Sequence, residues 1–205
     1  MLATATLPKF TTVDGTFPKP APRPLDPSRQ IRNLALVGFM GTGKTSVGHI
    51  AATLLGFGFV DTDEEIEKST GMGIVKLFEQ EGEARFRELE RQVVRGLEGR
   101  DQTVISTGGG LILNPANLES LKTHALVVCL WASPESIYAR VSHQTHRPLL
   151  NQPNPLEKIR HLLAEREPFY RKADLLLASD LRTTRELAQH VALEFRRARL
   201  DPPGA

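Results

Sequence analysis

Gly38-Phe39-Met40-Gly41-Thr42-Gly43-Lys44-Thr45 is the stretch whose residue types and spacing point most directly to chemistry. It has the form GxxxxGKT and stands between an apolar run, Leu34-Ala35-Leu36-Val37, and a helical pattern from Ser46 to Leu55. A phosphate-binding P-loop requires that strand–loop–helix setting. The three glycines of the stretch let backbone amides close around an anion without interference from Cβ atoms. Amides at the start of the helix add to the same cradle. Lys44 supplies a compact positive charge for the β- and γ-phosphates, and the Thr45 hydroxyl is placed to coordinate Mg²⁺.

Other residues could complete a site around the phosphates. Asp61 and Asp63 follow the short apolar stretch Phe57-Gly58-Phe59-Val60. If the strand continues that far, its period of two turns both carboxylates to one side. Ligands of open α/β sheets bind beyond the strand C-termini, where the P-loop also lies. Carboxylates in that position suit metal assistance and the orientation of an attacking hydroxyl. The plainer alternative is that Asp63 only caps the next helix. Thr103-Val104-Ile105-Ser106 ends without the Asp that P-loop enzymes use to hold the metal, so Asp61 is the candidate for that role. Gly108-Gly109-Gly110 then offers bare amides at the same sheet edge.

Arginines make up a further group. Arg87 follows the core position Phe86, with Glu90 three residues on and able to steer it. Arg166 lies in Ala164-Glu165-Arg166-Glu167-Pro168-Phe169-Tyr170, where Pro168 is expected to end the helix. Arg140 and Arg147 bracket a polar, proline-containing excursion from His143 to Pro155. Guanidinium groups bind carboxylates and phosphates through paired hydrogen bonds, although any single Arg is most simply a solvated surface charge. His143 and His146 lack further ligands and do not make a metal site.

The elements that must position these groups are short apolar strands alternating with helices. Strands are expected at 34–37, 57–60, 103–106, 125–131 and 175–177. Helices are expected at 46–55, from Glu64, through Val75 to Phe78, and from Glu83 to Leu97 with Phe86, Leu89, Val93 and Leu97 as its apolar stripe. Further helices are expected at 115–122, after Ser133-Pro134, at 159–166 and at 184–199. This alternation predicts a parallel sheet covered on both faces.

The 205 residues suit one α/β domain. With 40% hydrophobic and 24% charged residues and a net charge of +2, nothing argues for nucleic-acid or membrane binding. Cys129, the only cysteine, stands in an apolar run and reads as a small buried hydrophobe. No stretch has the length of a membrane span, and the N-terminus does not read as a secretion signal. Residues 1–30 are rich in proline and are expected to form a poorly ordered leader before a domain at 31–200, with a tail at 201–205.

Taken together, the P-loop, Asp61-Thr62-Asp63, Phe86-Arg87 with Glu90, Gly108-Gly109-Gly110, Arg147-Pro148-Leu149-Leu150, and Glu165-Arg166 with Tyr170 resemble the shikimate kinases in order and spacing. The resemblance runs from about Asn33 to Arg199 and implies a P-loop, nucleoside-monophosphate-kinase-like three-layer fold with a five-stranded parallel sheet. It implies ATP-dependent phosphorylation of the shikimate 3-hydroxyl in aromatic amino-acid biosynthesis. Carried over by motif, Asp63, Arg87, Gly108, Gly109, Gly110 and Arg166 hold shikimate, with Asp63 also orienting the reacting hydroxyl. Gly41, Thr42, Gly43, Lys44, Thr45, Ser46, Arg140, Arg147 and Arg182 take ATP. Thr45 and Asp61 serve Mg²⁺, and Arg147 closes from a lid at about 142–155. The 179–184 loop matches the family less well. The expected protein is a monomeric, cytoplasmic kinase without nucleic-acid or membrane partners.

The rival within the fold is a kinase of another small sugar acid such as gluconate. A GTPase-like switch is disfavoured, because the chain has neither Asn-Lys-x-Asp nor a DxxG after a strand. A catalytically dead homologue is disfavoured because every expected catalytic position is filled.

Overall fold

Five strands lie side by side, all parallel, in the spatial order β2-β3-β1-β4-β5. They are β1 (Asn33–Val37), β2 (Gly58–Asp61), β3 (Thr103–Ser106), β4 (Ala125–Trp131) and β5 (Leu175–Ala178). This computed structural model describes residues 25–26, 29–143, 154–180 and 182–200. Most of the expected leader, most of the lid including Arg147 and His146, and the tail lie outside the described residues.

The alternation along β1 explains the three layers. Leu34 and Leu36 pack on one face against Val47 and Ala51 of α1 (Lys44–Leu55) and Leu187, Val191 and Phe195 of α7 (Thr184–Leu200). Ala35 and Val37 pack on the other face. There they meet α3 (Ile74–Leu97), α4 (Pro115–His124), α5 (Pro134–Val141) and α6 (Pro155–Tyr170). Central strands covered on both faces need apolar residues at successive positions, which is why β1 and β4 read as continuous hydrophobic runs. Cys129 is fully buried in β4. A smaller cluster of Ile66, Leu77, Phe86 and Leu89 joins α2 (Thr62–Thr70) to α3.

Two elements depart from the sequence-based expectation. β2 ends at Asp61 and α2 begins at Thr62, so Asp63 lies in the first helical turn rather than on the strand. The two helices expected between Val75 and Leu97 are present within α3 as two pieces that meet at a kink at Gly82, whose φ of 78° and ψ of 171° are not helical. In α6 the chain passes Pro168 and stays helical to Tyr170. A proline this close to a C-terminus removes one hydrogen bond, and the burial of Tyr170 on the core holds the last turn in place.

At the N-terminal ends of the strands, Arg29 closes the sheet. It lies within the expected leader, yet its guanidinium donates to both oxygens of Asp174 at 2.8 and 2.9 Å and to the Ala125 carbonyl at 2.8 Å. Asp174 also accepts the Val127 N–H at 2.9 Å and faces Lys122 at 3.2 Å. Burial pushes the Asp174 carboxyl up, but the hydrogen bonds from Arg29 and Val127 outweigh it and hold the group below the usual carboxylate range. A carboxylate with a depressed pKa stabilises the fold above its unfolded pKa, and that contribution fades as acid protonates it. Arg29→Ala is therefore expected to lower unfolding free energy by about 2 kcal/mol at neutral pH, since Lys122 and Val127 still attend the buried charge. Urea titrations should show that difference shrinking as pH falls below the ordinary carboxylate value of 3.8.

Candidate active site

All the chemically suggestive residues within the described part converge at the C-terminal edge of the sheet, around the loop between β1 and α1. Gly38 starts that loop with φ 133°. A Cβ there would stand 2.3 Å from the Leu130 carbonyl oxygen, so only glycine lets the chain turn this close to β4. Thr42 is buried and donates to the Phe39 carbonyl at 2.8 Å, which fixes the loop from within. Gly43 caps α1 in the left-handed region and offers no side-chain acceptor to the first amides of the helix. Those amides and the positive end of the helix dipole are left for an anion.

A cavity of about 530 Å³ opens over this loop. Gly41, Thr42, Gly43, Lys44, Thr45 and Ser46 line one side, and Asp61, Asp63, Gly109, Arg140 and Arg182 line the others. Lys44 donates to the Phe39 carbonyl at 2.9 Å. Arg140 is held at the far end, where it donates to the Gly41 carbonyl at 3.2 Å and to both oxygens of Ser179 at 3.0 and 2.7 Å. Asp180 faces Arg140 at 3.8 Å and accepts the Ser133 N–H at 2.8 Å.

The two acidic residues divide their work differently from the expectation that they share a strand face. Asp61, not Asp63, is the N-cap of α2: one of its oxygens accepts the Asp63 N–H at 3.1 Å. The other accepts the Thr45 hydroxyl at 3.0 Å, and Ser106 stands 3.3 Å from the same hydroxyl. Asp63 is freed from capping. Its Oδ1 is buried without a hydrogen-bond partner and lies where a Cβ on Gly108 would come within 2.5 Å. Burial, helped by the charges of Asp61 and Glu90 and resisted by Lys44, pushes the Asp63 carboxyl up to about 6.

On the other side of the Gly108–Gly110 turn stand the two arginines. Arg87 donates to buried Glu90 at 2.7 Å and to Glu83 at 2.9 Å. Its guanidinium lies against Gly110, where a Cβ would meet it at 2.9 Å. Arg166 lies over the Phe39 ring at 5.3 Å. Asp63 and Gly109 line the cavity together with the P-loop, while Arg87 reaches Gly110 and Arg166 covers Phe39 beside it.

A family model described as shikimate kinase matches residues 40–196. The chain belongs to the shikimate kinase family. It is 44% identical to the shikimate kinase of Thermodesulfovibrio yellowstonii over 167 residues, 82% of this chain and 96% of that one. It is 41% identical to that of Thermus thermophilus over 168 residues, 82% of this chain and 91% of that one. Among solved structures, a shikimate kinase from Acinetobacter baumannii in complex with shikimate superposes with a TM-score of 0.78 at 40% identity, covering 86% of this chain and 99% of that one. A gluconokinase from Sinorhizobium meliloti, at 18% identity and a TM-score of 0.55, shares the fold alone.

Within the shikimate kinase frame, sequence reasoning missed several neighbours of the site. Ser179, Thr107, Thr184 and Leu187 line the cavity, and Glu83 is a second carboxylate on Arg87. The strand-end rule could have found Thr107 and Ser179, because each directly follows a strand. Glu83 was readable as the residue one helical turn before Arg87.

The crowding at Gly108 makes a sharp test of Asp63. Gly108→Ala is expected to cut turnover about 100-fold by displacing the carboxylate, with nucleotide affinity nearly unchanged. Stopped-flow turnover and nucleotide titration check both halves. The raised pKa of Asp63 gives a second test. A raised carboxylate pKa costs nothing below the ordinary value of 3.8 and weighs fully against folding above about 6. Asp63→Asn should thus stabilise the ligand-free protein by about 2 kcal/mol at pH 8, with thermal melts showing no gain near pH 4.

Proposed function

We propose that this chain phosphorylates shikimate with ATP, transferring the γ-phosphoryl group to the 3-hydroxyl to give shikimate 3-phosphate and ADP. The observation that carries the reading is the position of Asp63. A half-buried carboxylate with one unpartnered oxygen, its pKa pushed up to about 6, lines the P-loop cavity beside Gly108. A carboxylate so poised can hold the acceptor hydroxyl and take its proton during transfer. Phosphoryl transfer otherwise needs alignment and charge neutralisation more than covalent chemistry.

The residue roles in this reading are as follows. The P-loop amides and Lys44 hold the β- and γ-phosphates. Arg140 and Arg182, at the far end of the cavity, take the nucleoside end of ATP. Arg87 and Arg166 pair with the shikimate carboxylate through their planar forks, and Gly108, Gly109 and Gly110 let the ring approach the backbone. Arg147, which lies outside the described residues, is assigned to the phosphates by the family resemblance alone, and a closing lid there would keep water from the γ-phosphate.

Asp61 and Ser106 each place an oxygen within 3.3 Å of the Thr45 hydroxyl, and this set of hard donors suits Mg²⁺. Among the described residues no group of three or more His, Cys, Asp or Glu side chains forms a metal cage. That fits an ion held largely by the substrate phosphates and water. Bound there, Mg²⁺ would neutralise charge on the phosphates as the bond to the leaving oxygen breaks.

The reading extends to a monomeric enzyme acting in the cytoplasm with ATP as co-substrate. Among the described residues no helix is long and apolar enough to cross a membrane. Shikimate is preferred over gluconate because the Arg87–Glu90 pair, the glycine turn and Arg166 together suit a rigid ring acid.

A coupled ADP-release assay with each acceptor tests the reading. ADP should form with shikimate and not with gluconate, and gluconate-dependent release alone would overturn it. In the same assay Lys44→Ala should lose at least about 1,000-fold in turnover, in line with loss of a transition-state charge partner.

A further inference from the structure

Tyr170 is the last residue of α6 and is fully buried, the largest side chain in the core to be so. Its ring meets the Trp131 ring edge-on, with centroids 6.3 Å apart. A phenylalanine would fill that space equally well, so the hydroxyl needs its own account. A buried phenol requires a partner, and Tyr170 donates to the Gly109 carbonyl at 2.7 Å. The Arg166 guanidinium lies one turn earlier on the same helix, near enough for its charge to act on the phenol. Burial pushes the phenol well above its ordinary pKa, so it stays a donor at any working pH. Gly109 in turn packs on the P-loop, where a Cβ would stand 3.3 Å from the Met40 nitrogen.

We propose that Tyr170 is a positioning residue of the acceptor site, whose hydroxyl fixes the Arg166 guanidinium relative to the Gly108–Gly110 turn. The proposal rests on the reading above, in which Arg166 and Gly109 bind shikimate. Arg166 has a long, rotamer-rich side chain, and the Phe39 face alone limits it in one direction only. The phenolic oxygen supplies the second restraint and leaves guanidinium N–H groups for a ligand carboxylate. The same hydroxyl pulls the Gly109 carbonyl away from the ligand side, so that the turn presents its amides. A restraint of this kind acts on the acceptor carboxylate and leaves the nucleotide phosphates alone.

The test is steady-state kinetics of Tyr170→Phe, Arg166→Ala and the double variant. Tyr170→Phe should raise the KM for shikimate about tenfold, the scale of one hydrogen bond to a charged group, with KM for ATP and kcat within about twofold. Its melting temperature should stay within a few degrees of the parent, because the ring and its Trp131 contact remain. In the Arg166→Ala background, Tyr170→Phe should add less than about twofold, since most of its effect passes through the missing guanidinium. An unchanged shikimate KM in Tyr170→Phe, with Arg166→Ala impaired, would overturn the positioning role alone. An unchanged KM in Arg166→Ala would instead remove the underlying reading of the acceptor site. Unfolding of Tyr170→Phe, or a parallel rise in both KM values, would assign the hydroxyl to general stability and overturn the proposal.

Discussion

Backbone must approach ligand and backbone without side chains at one edge of this sheet, and the rest of the site is arranged around that requirement. Gly38 passes within contact of the β4 carbonyl at Leu130, and Gly108, Gly109 and Gly110 press against Asp63, the P-loop and Arg87 in turn. Main-chain amides bind an anion well only when nothing bulkier intervenes. The parallel sheet supplies that edge, because every strand delivers its C-terminus to the same side. Charged side chains then enter from helices, where their positions are set by packing: Arg87 next to Phe86 on α3, and Arg166 over Phe39 from α6.

The electrostatics of the edge run against stability. Asp63 and Glu90 each carry a buried oxygen with no hydrogen-bond partner, and burial raises both carboxyl pKa values. Such groups persist where the surrounding structure holds them. Here the support lies elsewhere: the continuous apolar strands β1 and β4, and the Arg29–Asp174 pair at the opposite end of the sheet. One ion pair is fully satisfied and structural, whereas the acidic groups at the site are left short of partners.

Much of this arrangement is legible in the residues alone. The GxxxxGKT spacing names the loop, and the apolar runs place the strands within a residue or so. Asp61 stands out as the candidate substitute for the missing carboxylate after Ser106, and in the fold it accepts a hydrogen bond from Thr45. Which of Asp61 and Asp63 caps α2 is not legible. It depends on α2 starting one residue after β2 ends, and helix starts are set by capping geometry that either Asp could satisfy. Pro168 reads as a stop because local propensity says so, but burial of Tyr170 overrides it. Arg29 reads as leader because its partner, Asp174, lies far away in sequence. The family resemblance named the remaining positions, and Arg147 lies outside the described residues.

The Arg29–Asp174 pair also settles a matter of orientation. It fastens the chain at the pole of the molecule remote from the glycine edge, because Ala125 opens β4 and Asp174 immediately precedes β5. A tether attached directly at Arg29 would therefore leave the molecule from the pole opposite the cavity entrance.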